Sequence, residues 1–233
     1  MEIICITGDT GSIASALIEK LLKKKRYKIY GCSTSITKIV NKNYNHKIID
    51  TTNQKKIREW FENIFKKEKK INTLLCLSGT TSGGNLVYNF SSNEFNANIL
   101  STIKSTFICN KEVLKYLIKS KGGSIINISS IAEKKNLVGS AIYSSAKSAI
   151  SKFTKILAKE NLNFNINANV ILPMYIENKE TKKRGSAWKN KILSMQDSKK
   201  VGEITSFVNL VCFLSDKKNR LITGQEISIG TVI

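Results

Sequence analysis

Short apolar runs alternate with longer amphipathic stretches along most of the chain. The first run, residues 2–6, is typical of a strand buried on both faces of a parallel sheet. The stretch that follows repeats Ile13, Leu17 and Leu21 at helical spacing, so that these side chains share one face. Strands that alternate with amphipathic helices predict an α/β fold with a mainly parallel sheet.

The same pattern over the whole chain predicts seven strands with helices between them. The strands are predicted at 2–6, 27–32, 46–49, 72–77, 123–130, 167–172 and 226–229, and the later helices at 52–67, 94–120, 141–161 and 201–214. Helices on both faces of such a sheet make a Rossmann-type, doubly wound arrangement. Because no linker rich in proline or glycine divides residues 1–233, we predict a single domain.

Two polar side chains share one face of the predicted helix 141–161. Tyr143 and Lys147 are four residues apart, so the phenol and the ammonium point to the same place. A nearby cation stabilises a phenolate, so we expect Lys147 to lower the pKa of Tyr143. The predicted strand 123–130 ends in Ser130, which adds a hydroxyl beside the pair. Taken alone, such a pair is most often a solvated helix face, so its meaning depends on the rest of the chain.

A glycine-containing turn joins the first predicted strand to its helix. Its sequence is Thr7-Gly8-Asp9-Thr10-Gly11-Ser12-Ile13-Ala14. Glycine lets the backbone approach a pyrophosphate, whose negative charge is favoured at a helix N-terminus. Many strand-to-helix turns contain glycine for steric reasons only, so the turn by itself is weak evidence for nucleotide binding.

The order of these features over nearly the whole chain resembles the short-chain dehydrogenase/reductase family. The series is Thr7-Gly8, Asp50, Ser78-Gly79, Ser130, Tyr143 with Lys147, Pro173 and Thr223-Gly224-Gln225. The resemblance implies an NAD(P)-dependent oxidoreductase that reduces a carbonyl to a hydroxyl or catalyses the reverse reaction. It implies that Tyr143 donates the proton, that Ser130 hydrogen-bonds the substrate oxygen, and that Lys147 tunes the tyrosine and holds the nicotinamide ribose.

The resemblance also implies a set of cofactor-binding residues. They are Gly8, Thr10, Gly11, Ser12, Ile13, Ser33, Thr34, Asp50, Thr51, Ser78, Gly79, Tyr143, Lys147, Pro173 and Ile176. The second predicted strand ends in Ser33-Thr34-Ser35, without the acidic residue that would repel a 2′-phosphate. We therefore expect NADP as the cofactor, with NAD as the alternative.

Several positions depart from the family pattern. In the turn, the second glycine falls one place early and Ala14 replaces the last glycine. Cys76 and Leu77 replace two asparagines, Thr102 stands where the family has a catalytic asparagine, and Met174 replaces a glycine. These changes favour an alternative of another class, a cofactor-binding protein without turnover, whereas the intact catalytic series opposes it.

Within the family the chain looks most like 3-oxoacyl-(acyl-carrier-protein) reductases. A 3-oxoacyl thioester on an acyl carrier protein is therefore the expected substrate, and a sugar or another small ketone is the alternative. Lys121 lies nine residues before Ser130, where such reductases carry a base that docks the carrier. The lysine-rich segment 177–197, with Trp188, is a candidate lid. Since family members commonly tetramerise, we expect a homo-oligomer, either a tetramer or a dimer.

Composition limits the remaining function classes. The formal net charge is +21, but the lysine clusters lie near predicted helix ends and loops, so we expect solvated faces and no nucleic-acid site. The same charge would suit an acidic protein partner. The five cysteines lack metal-ligand or disulfide spacing, so we expect core thiols and no metal. Without a leader or a long apolar run, the protein is expected to be cytoplasmic and outside the membrane.

The single histidine bears on one rival class. His46 has no acidic, cysteine or histidine partner at ligand spacing, so we expect it at the solvent edge. Hydrolysis by a Ser-His-Asp triad needs a histidine beside the serine, and this expectation excludes it. Asp50, which closes the third predicted strand, is expected to cap the next helix. The resemblance implies that Asp50 also meets the adenine.

Overall fold

The computed structural model of the protein describes residues 1–79, 85–177 and 179–230. Within these residues its strands are β1 (Glu2–Thr7), β2 (Tyr27–Ser33), β3 (Tyr44–Ile48), β4 (Thr73–Cys76), β5 (Gly123–Ile128), β6 (Ile166–Pro173) and β7 (Glu226–Ile229). They form one seven-stranded sheet in the order β3-β2-β1-β4-β5-β6-β7, and every neighbouring pair is parallel. The prediction of a doubly wound α/β sheet is confirmed.

Helices cover both faces of this sheet. In the described part of the chain they are α1 (Ser12–Lys23), α2 (Gln54–Glu68), α3 (Ser92–Ile99), α4 (Ser105–Lys119), α5 (Ala132–Lys135), α6 (Ala141–Asn161), α7 (Lys179–Lys182), α8 (Gly185–Ser194) and α9 (Ile204–Ser215). Apolar side chains of α2, α4 and α6 pack on one face, and those of α1 and α9 pack on the other. In β1, Ile3 and Cys5 join the first core while Ile4 and Ile6 join the second, because successive side chains alternate. The uninterrupted apolar run of β1 therefore serves two cores.

The strand order reverses direction at β1 and β4, and this switch point positions the site. In doubly wound sheets, ligands bind in the crevice at the carboxyl ends of the strands where the order reverses. β1 runs into the glycine turn, and β4 runs into Leu77 and Ser78. The carboxyl end of β5, next to β4, delivers the loop that carries Ser130.

A buried polar network fixes α6 against β5. The side chains of Asn110 on α4 and Asn127 on β5 exchange two hydrogen bonds, of 2.9 and 3.1 Å, and Asn127 also donates to Thr154 Oγ1 on α6 at 2.9 Å. All three side chains are fully buried. Because each buried polar atom in this set has a partner, the network specifies how the helix lies on the strand.

The predicted helix 94–120 is divided into two α-helices by a π-helical turn. The turn spans Leu100–Lys104 and therefore contains Thr102. Single π-helical turns inside α-helices occur frequently at functional sites. The irregular backbone thus falls at the position where the family has its catalytic asparagine.

The prediction that Asp50 caps the next helix is wrong. Asn53 is the N-cap of α2, and its side chain accepts the backbone N–H of Lys56 at 3.1 Å. Asp50 Oδ1 instead accepts the backbone N–H and the hydroxyl of Thr52, each at 2.8 Å. The helix begins two residues later than predicted because Asp50 and Thr52 form a local turn of their own.

None of the helices in the described residues is both long enough and apolar enough to cross a membrane.

Candidate active site

The three side chains predicted to carry the chemistry meet beyond the carboxyl end of β5. Tyr143 and Lys147 lie one turn apart on α6, and Lys147 Nζ is 5.8 Å from the centroid of the tyrosine ring. Ser130 reaches the phenol through a side-chain hydrogen bond. Ser130 Oγ also accepts the backbone N–H of Ala132 at 3.2 Å, which leaves its own proton for the phenol or for a substrate oxygen.

The phenol of Tyr143 is harder to ionise than the sequence led us to expect. Burial raises the pKa of Tyr143 above its ordinary value, and the hydrogen bond from Ser130 opposes this more weakly. The expected net lowering of this pKa is therefore wrong, because burial outweighs the hydrogen bond that favours the phenolate. Tyr143 consequently keeps its proton at neutral pH. Lys147 Nζ donates to the carbonyl of Ile128 at 3.0 Å.

Lys147 is buried, and burial lowers its pKa to about 8, while the charge of Glu133 acts in the opposite direction. Two further groups border the same space. A Cβ atom at Gly79 would lie 3.8 Å from Lys147 Nζ and 3.4 Å from Thr102 Oγ1. The loop after β4 and the π-helical turn thus both lie close to Lys147. We call this group of five residues the catalytic corner: Gly79, Thr102, Ser130, Tyr143 and Lys147.

The glycine turn after β1 packs tightly against the two neighbouring strands. The N–H of Gly8 donates to the carbonyl of Cys32 at 2.8 Å, and its φ is +69°. A Cβ atom at Gly8 would lie 2.8 Å from the backbone nitrogen of Ser78, so a side chain is excluded there. Gly11 is the N-cap of α1, and the first turn of the helix contains no acidic residue. This helix N-terminus suits a phosphate group.

A pocket of about 350 Å³ lies between the start of α1 and the segment that follows β6. Three predicted cofactor residues, Ser12, Ile13 and Ile176, line it together with Glu177 and Lys182. The fold therefore brings the glycine turn and the segment after Pro173 together although they are far apart in sequence. The N-terminus of α1, on one side of this pocket, suits a phosphate group of a dinucleotide. The other side is lined by apolar and charged side chains, such as Ile176 and Lys182, which suit a ring of the same dinucleotide.

Comparisons with known proteins identify the family and the fold of the chain. Residues 33–230 match the family described as enoyl-(acyl carrier protein) reductase. The chain is 30% identical over 231 residues to the 3-oxoacyl-(acyl-carrier-protein) reductase FabG of Buchnera aphidicola subsp. Acyrthosiphon pisum, covering 97% of this chain and 94% of the relative. The chain belongs to the short-chain dehydrogenase/reductase family. It is therefore an NAD(P)-dependent oxidoreductase.

Two further relatives cover the chain as fully. The 3-oxoacyl-(acyl-carrier-protein) reductase FabG of Rickettsia conorii is 29% identical over 230 residues, which are 97% of this chain and 93% of the relative. Among solved structures, ElxO with NADP bound is similar with a TM-score of 0.90 and 25% identity, and the match covers 98% of this chain and 96% of that one. The resemblance to short-chain dehydrogenases/reductases is thus confirmed over nearly the full length.

At the end of β2, the residues predicted to bind the 2′-phosphate differ in their exposure to solvent. Ser33 is buried, lies 2.9 Å from Thr10 through their hydroxyl oxygens, and donates to the carbonyl of Ser35 at 3.0 Å. Thr34 is exposed. Thr34 and the backbone at this strand end are therefore the parts that solvent and a ligand can reach.

Sequence reasoning missed a buried acid directly below this strand end. Asp9, fully buried, accepts hydrogen bonds from Tyr44 at 2.5 Å and, through the same Oδ2, from His46 Nδ1 at 2.7 Å. The expectation that His46 is a solvent-edge residue is wrong, because β3 pairs with β2 so that His46 lies beside Gly31. A Cβ atom at Gly31 would lie 1.8 Å from Asp9 Oδ2, so this glycine leaves the space that the carboxylate occupies. A glycine inside a strand was the available signal.

Asp50, which the resemblance predicts to meet the adenine, and Thr51, predicted to bind the cofactor, are placed differently from each other. Asp50 is exposed at the carboxyl side of β3. Thr51 is buried, and its hydroxyl accepts that of Ser105 at 2.7 Å. The side chain of Thr51 is thus committed to the interior.

The predicted lid, 177–197, contains α7 and α8, and its position 178 lies outside the described residues. Trp188 on α8 packs edge-on against Tyr175, with ring centroids 5.6 Å apart, and Arg184 lies 4.9 Å above the Trp188 ring. Lys189 pairs with Glu177 at 2.7 Å. The segment is therefore docked beside the pocket through an aromatic contact and an ion pair.

Met174 replaces the family's glycine after Pro173, and its side chain is buried. Two glycines make room for it. A Cβ atom would lie 2.6 Å from Met174 Cγ if placed at Gly202, and 1.9 Å from Met174 Sδ if placed at Gly230. The sequence showed the substitution but not the glycines that accommodate it.

Lys121 does not lie near the catalytic corner. It follows α4 and precedes β5, whereas Ser130 lies beyond the opposite end of that strand. A strand of this length separates its ends by roughly 20 Å, at about 3.3 Å per residue. Lys121 and Ser130 of the same chain therefore lie at opposite edges of the sheet.

The five cysteines are dispersed over the fold. Cys5, Cys32, Cys76 and Cys109 are buried free thiols, and Cys212 is partly exposed. In the described ranges, no group of three or more His, Cys, Asp or Glu side chains is arranged to hold a metal ion.

Proposed function

We propose that this protein is an NADP(H)-dependent reductase that converts the ketone of a 3-oxoacyl thioester to a hydroxyl group, or catalyses the reverse reaction. The observation that carries the proposal is the convergence of Ser130, Tyr143 and Lys147 beyond the carboxyl end of β5, at the same edge of the parallel sheet as the glycine turn after β1. The names of the relatives, 3-oxoacyl-(acyl-carrier-protein) reductases, support the thioester class.

The residues present fit a nicotinamide dinucleotide phosphate. The turn from Gly8 to Ser12 offers backbone N–H groups and a helix N-terminus to the pyrophosphate. Near the end of β2, the acid of the neighbouring turn, Asp9, is buried and bound to Tyr44 and His46, so its carboxylate is not presented to the ribose hydroxyls in place of a 2′-phosphate at Thr34. The structure of ElxO contains NADP, which supports the same choice here.

The bound cofactor supplies a hydride for the carbonyl carbon. The side chains of the catalytic corner then handle the oxygen. Ser130 donates a hydrogen bond to it, and Tyr143, protonated at neutral pH because burial raises its pKa, gives it a proton. The Lys147 cation stabilises the phenolate that Tyr143 becomes when it loses the proton.

A turnover screen tests the function and the substrate class together. NADPH oxidation would be followed with acetoacetyl groups on an acyl carrier protein and on coenzyme A, with sugars and with simple ketones. We expect turnover of both thioesters and weak turnover of sugars. Turnover of sugars or simple ketones alone would overturn the thioester proposal and establish the small-ketone alternative.

One supporting position departs from the family pattern at the catalytic corner. Thr102, which replaces the catalytic asparagine, is buried in the π-helical turn with its hydroxyl beside Gly79. The backbone carbonyl of this position remains, but the asparagine side chain is lost. The kcat measured in the same screen shows how much turnover the chain retains with threonine at this position.

We also propose a homo-oligomer. Support comes from α4 and α6, which expose Phe107 (46%) and Ile156 (49%) on the surface of the described chain. Light scattering at several protein concentrations tests the proposal, and a monomer at all concentrations would contradict it.

A further inference from the structure

Glu133 is a buried acid that the proposed mechanism does not use. It lies on α5, three residues after Ser130, and its side chain is only 1% exposed. A buried carboxylate is costly unless several donors compensate it. Here three donors do so: Ser129 Oγ, Ser151 Oγ at 2.7 Å, and Lys134 Nζ at 3.1 Å. The carboxylate of Glu133 is therefore compensated by three donors inside the protein.

The donors belong to the two elements that carry the chemistry. Ser129 directly precedes Ser130, and Ser151 lies one helical turn after Lys147 on α6. Ser129 Oγ also lies 3.0 Å from the backbone carbonyl of Lys147. Glu133 thus joins the loop that presents Ser130 to the helix that presents Tyr143 and Lys147.

The negative charge of Glu133 favours the protonated form of Lys147. Among the described residues, Lys147 faces groups from several elements. They are the carbonyl of Ile128 on β5, the ring of Tyr143 on α6, the residues Gly79 and Thr102, and the charge of Glu133 on α5. Burial lowers the pKa of Lys147 to about 8, and Glu133 is the charged group that raises it. Without this acid the buried ammonium would lose its proton more readily.

An outer set of charges moderates the acid. Lys134 bridges Glu133 and Glu226, with the contact to Glu226 at 2.7 Å, and Lys155 pairs with Glu226 at 2.8 Å. Lys134 is partly exposed, so its attraction for Glu133 is screened more than the effect of Glu133 on the buried lysine. The acid therefore keeps a net influence on Lys147.

We infer that Glu133 is a positioning residue for the reaction: it holds Lys147 in the cationic form and fixes the loop of Ser130 to helix α6. The expected effect on turnover rests on the proposed function. The effect on the ionisation of Lys147 does not, because it can be measured in the protein without cofactor or substrate. Substituting the acid by a neutral residue of the same shape separates charge from packing.

The first test measures the ionisation of Lys147 without cofactor or substrate. Protein labelled with ¹³C at lysine Cε is titrated by NMR, and the Lys147→Met variant assigns the resonance. In Glu133→Gln, which keeps the shape and loses the charge, we expect the pKa of Lys147 to fall by about one unit, the lower end of the effect of a nearby opposite charge. In Glu133→Asp, which keeps the charge, the fall should be smaller. An unchanged pKa in Glu133→Gln overturns the inference.

Lys134→Gln provides a matched variant with the opposite sign, and it serves if Glu133→Gln does not fold. Removing this cation leaves the acid less neutralised, so the pKa of Lys147 should rise. A pKa that stays the same or falls contradicts the role of Glu133.

The second test uses the pH dependence of NADPH binding and turnover. If only protonated Lys147 is competent, kcat/KM falls as pH rises through its pKa, and this decline should begin about one pH unit lower in Glu133→Gln. An identical decline in both proteins overturns the inference. If no substrate is turned over, the proposed function fails, while the NMR titration still decides the role of Glu133.

Discussion

The catalytic corner and the nucleotide-binding turn have diverged from the family pattern in opposite ways. Around Lys147, the three reactive side chains are kept and lie in contact, and the changes fall on supporting positions such as Thr102. In the turn after β1, the side chains change, with Asp9 inside it and Ala14 at its end, while the backbone path of Gly8 is kept. Proton transfer requires particular side chains, whereas a phosphate is bound largely by backbone N–H groups.

The largest expected effect comes from removing the phenol hydroxyl at the catalytic corner. Tyr143→Phe should lower kcat by about 10² to 10⁴, the usual contribution of general acid catalysis, with cofactor affinity nearly unchanged because the ring remains. Turnover is measured with the substrate that the screen identifies, and affinity by fluorescence titration with NADPH. Tyr88→Phe is the matched control, since Tyr88 is 82% exposed. A loss of only a few-fold in Tyr143→Phe would remove the tyrosine from the mechanism.

The next prediction concerns Asp9, the buried acid of the nucleotide-binding turn. Gly31→Ala places a methyl group where Asp9 Oδ2 lies, so it should destabilise the protein by about 1–3 kcal/mol, as overpacking does. Asp9→Ala should also destabilise it, because Tyr44 and His46 lose their acceptor. In the double variant the new methyl group has space, so the combined loss should be smaller than the sum. Urea unfolding measures all three, and strictly additive losses would contradict the contact.

A smaller effect is expected at the exposed end of β2. Thr34→Asp adds a charge at the exposed end of β2, which repels a 2′-phosphate and can accept a ribose hydroxyl. We expect the ratio of NADP to NAD affinity to fall by about tenfold, equivalent to 1.4 kcal/mol. Titration with each cofactor measures the ratio before and after the change. If the ratio is the same in both proteins, this strand end does not select the cofactor.

Much of the fold could be predicted because its signals are local and repeated. The apolar run of β1, the helical spacing of Leu17 and Leu21, and the pair of Tyr143 and Lys147 each follow from short-range periodicity. A parallel sheet then forces the carboxyl ends of β1, β4 and β5 to one edge, so the predicted site residues had to be neighbours.

The features that the sequence did not predict depend on contacts between distant segments. His46 meets Asp9 only because β3 aligns with β2 in a particular register, and a single-residue shift would turn it away. The raised pKa of Tyr143 depends on burial of its phenol in the folded chain, which outweighs the hydrogen bond from Ser130. No local pattern contains that information.

Met174 makes three distant positions depend on one another. Its buried side chain occupies the space that a Cβ atom at Gly202 or Gly230 would need. Restoring the family's glycine at this position would therefore not return the protein to a more typical state, because it would leave a cavity between two residues that have no side chains to fill it. In relatives that share this methionine, residues 202 and 230 should remain glycine, and in relatives with glycine at 174 those two positions should be free to carry larger side chains.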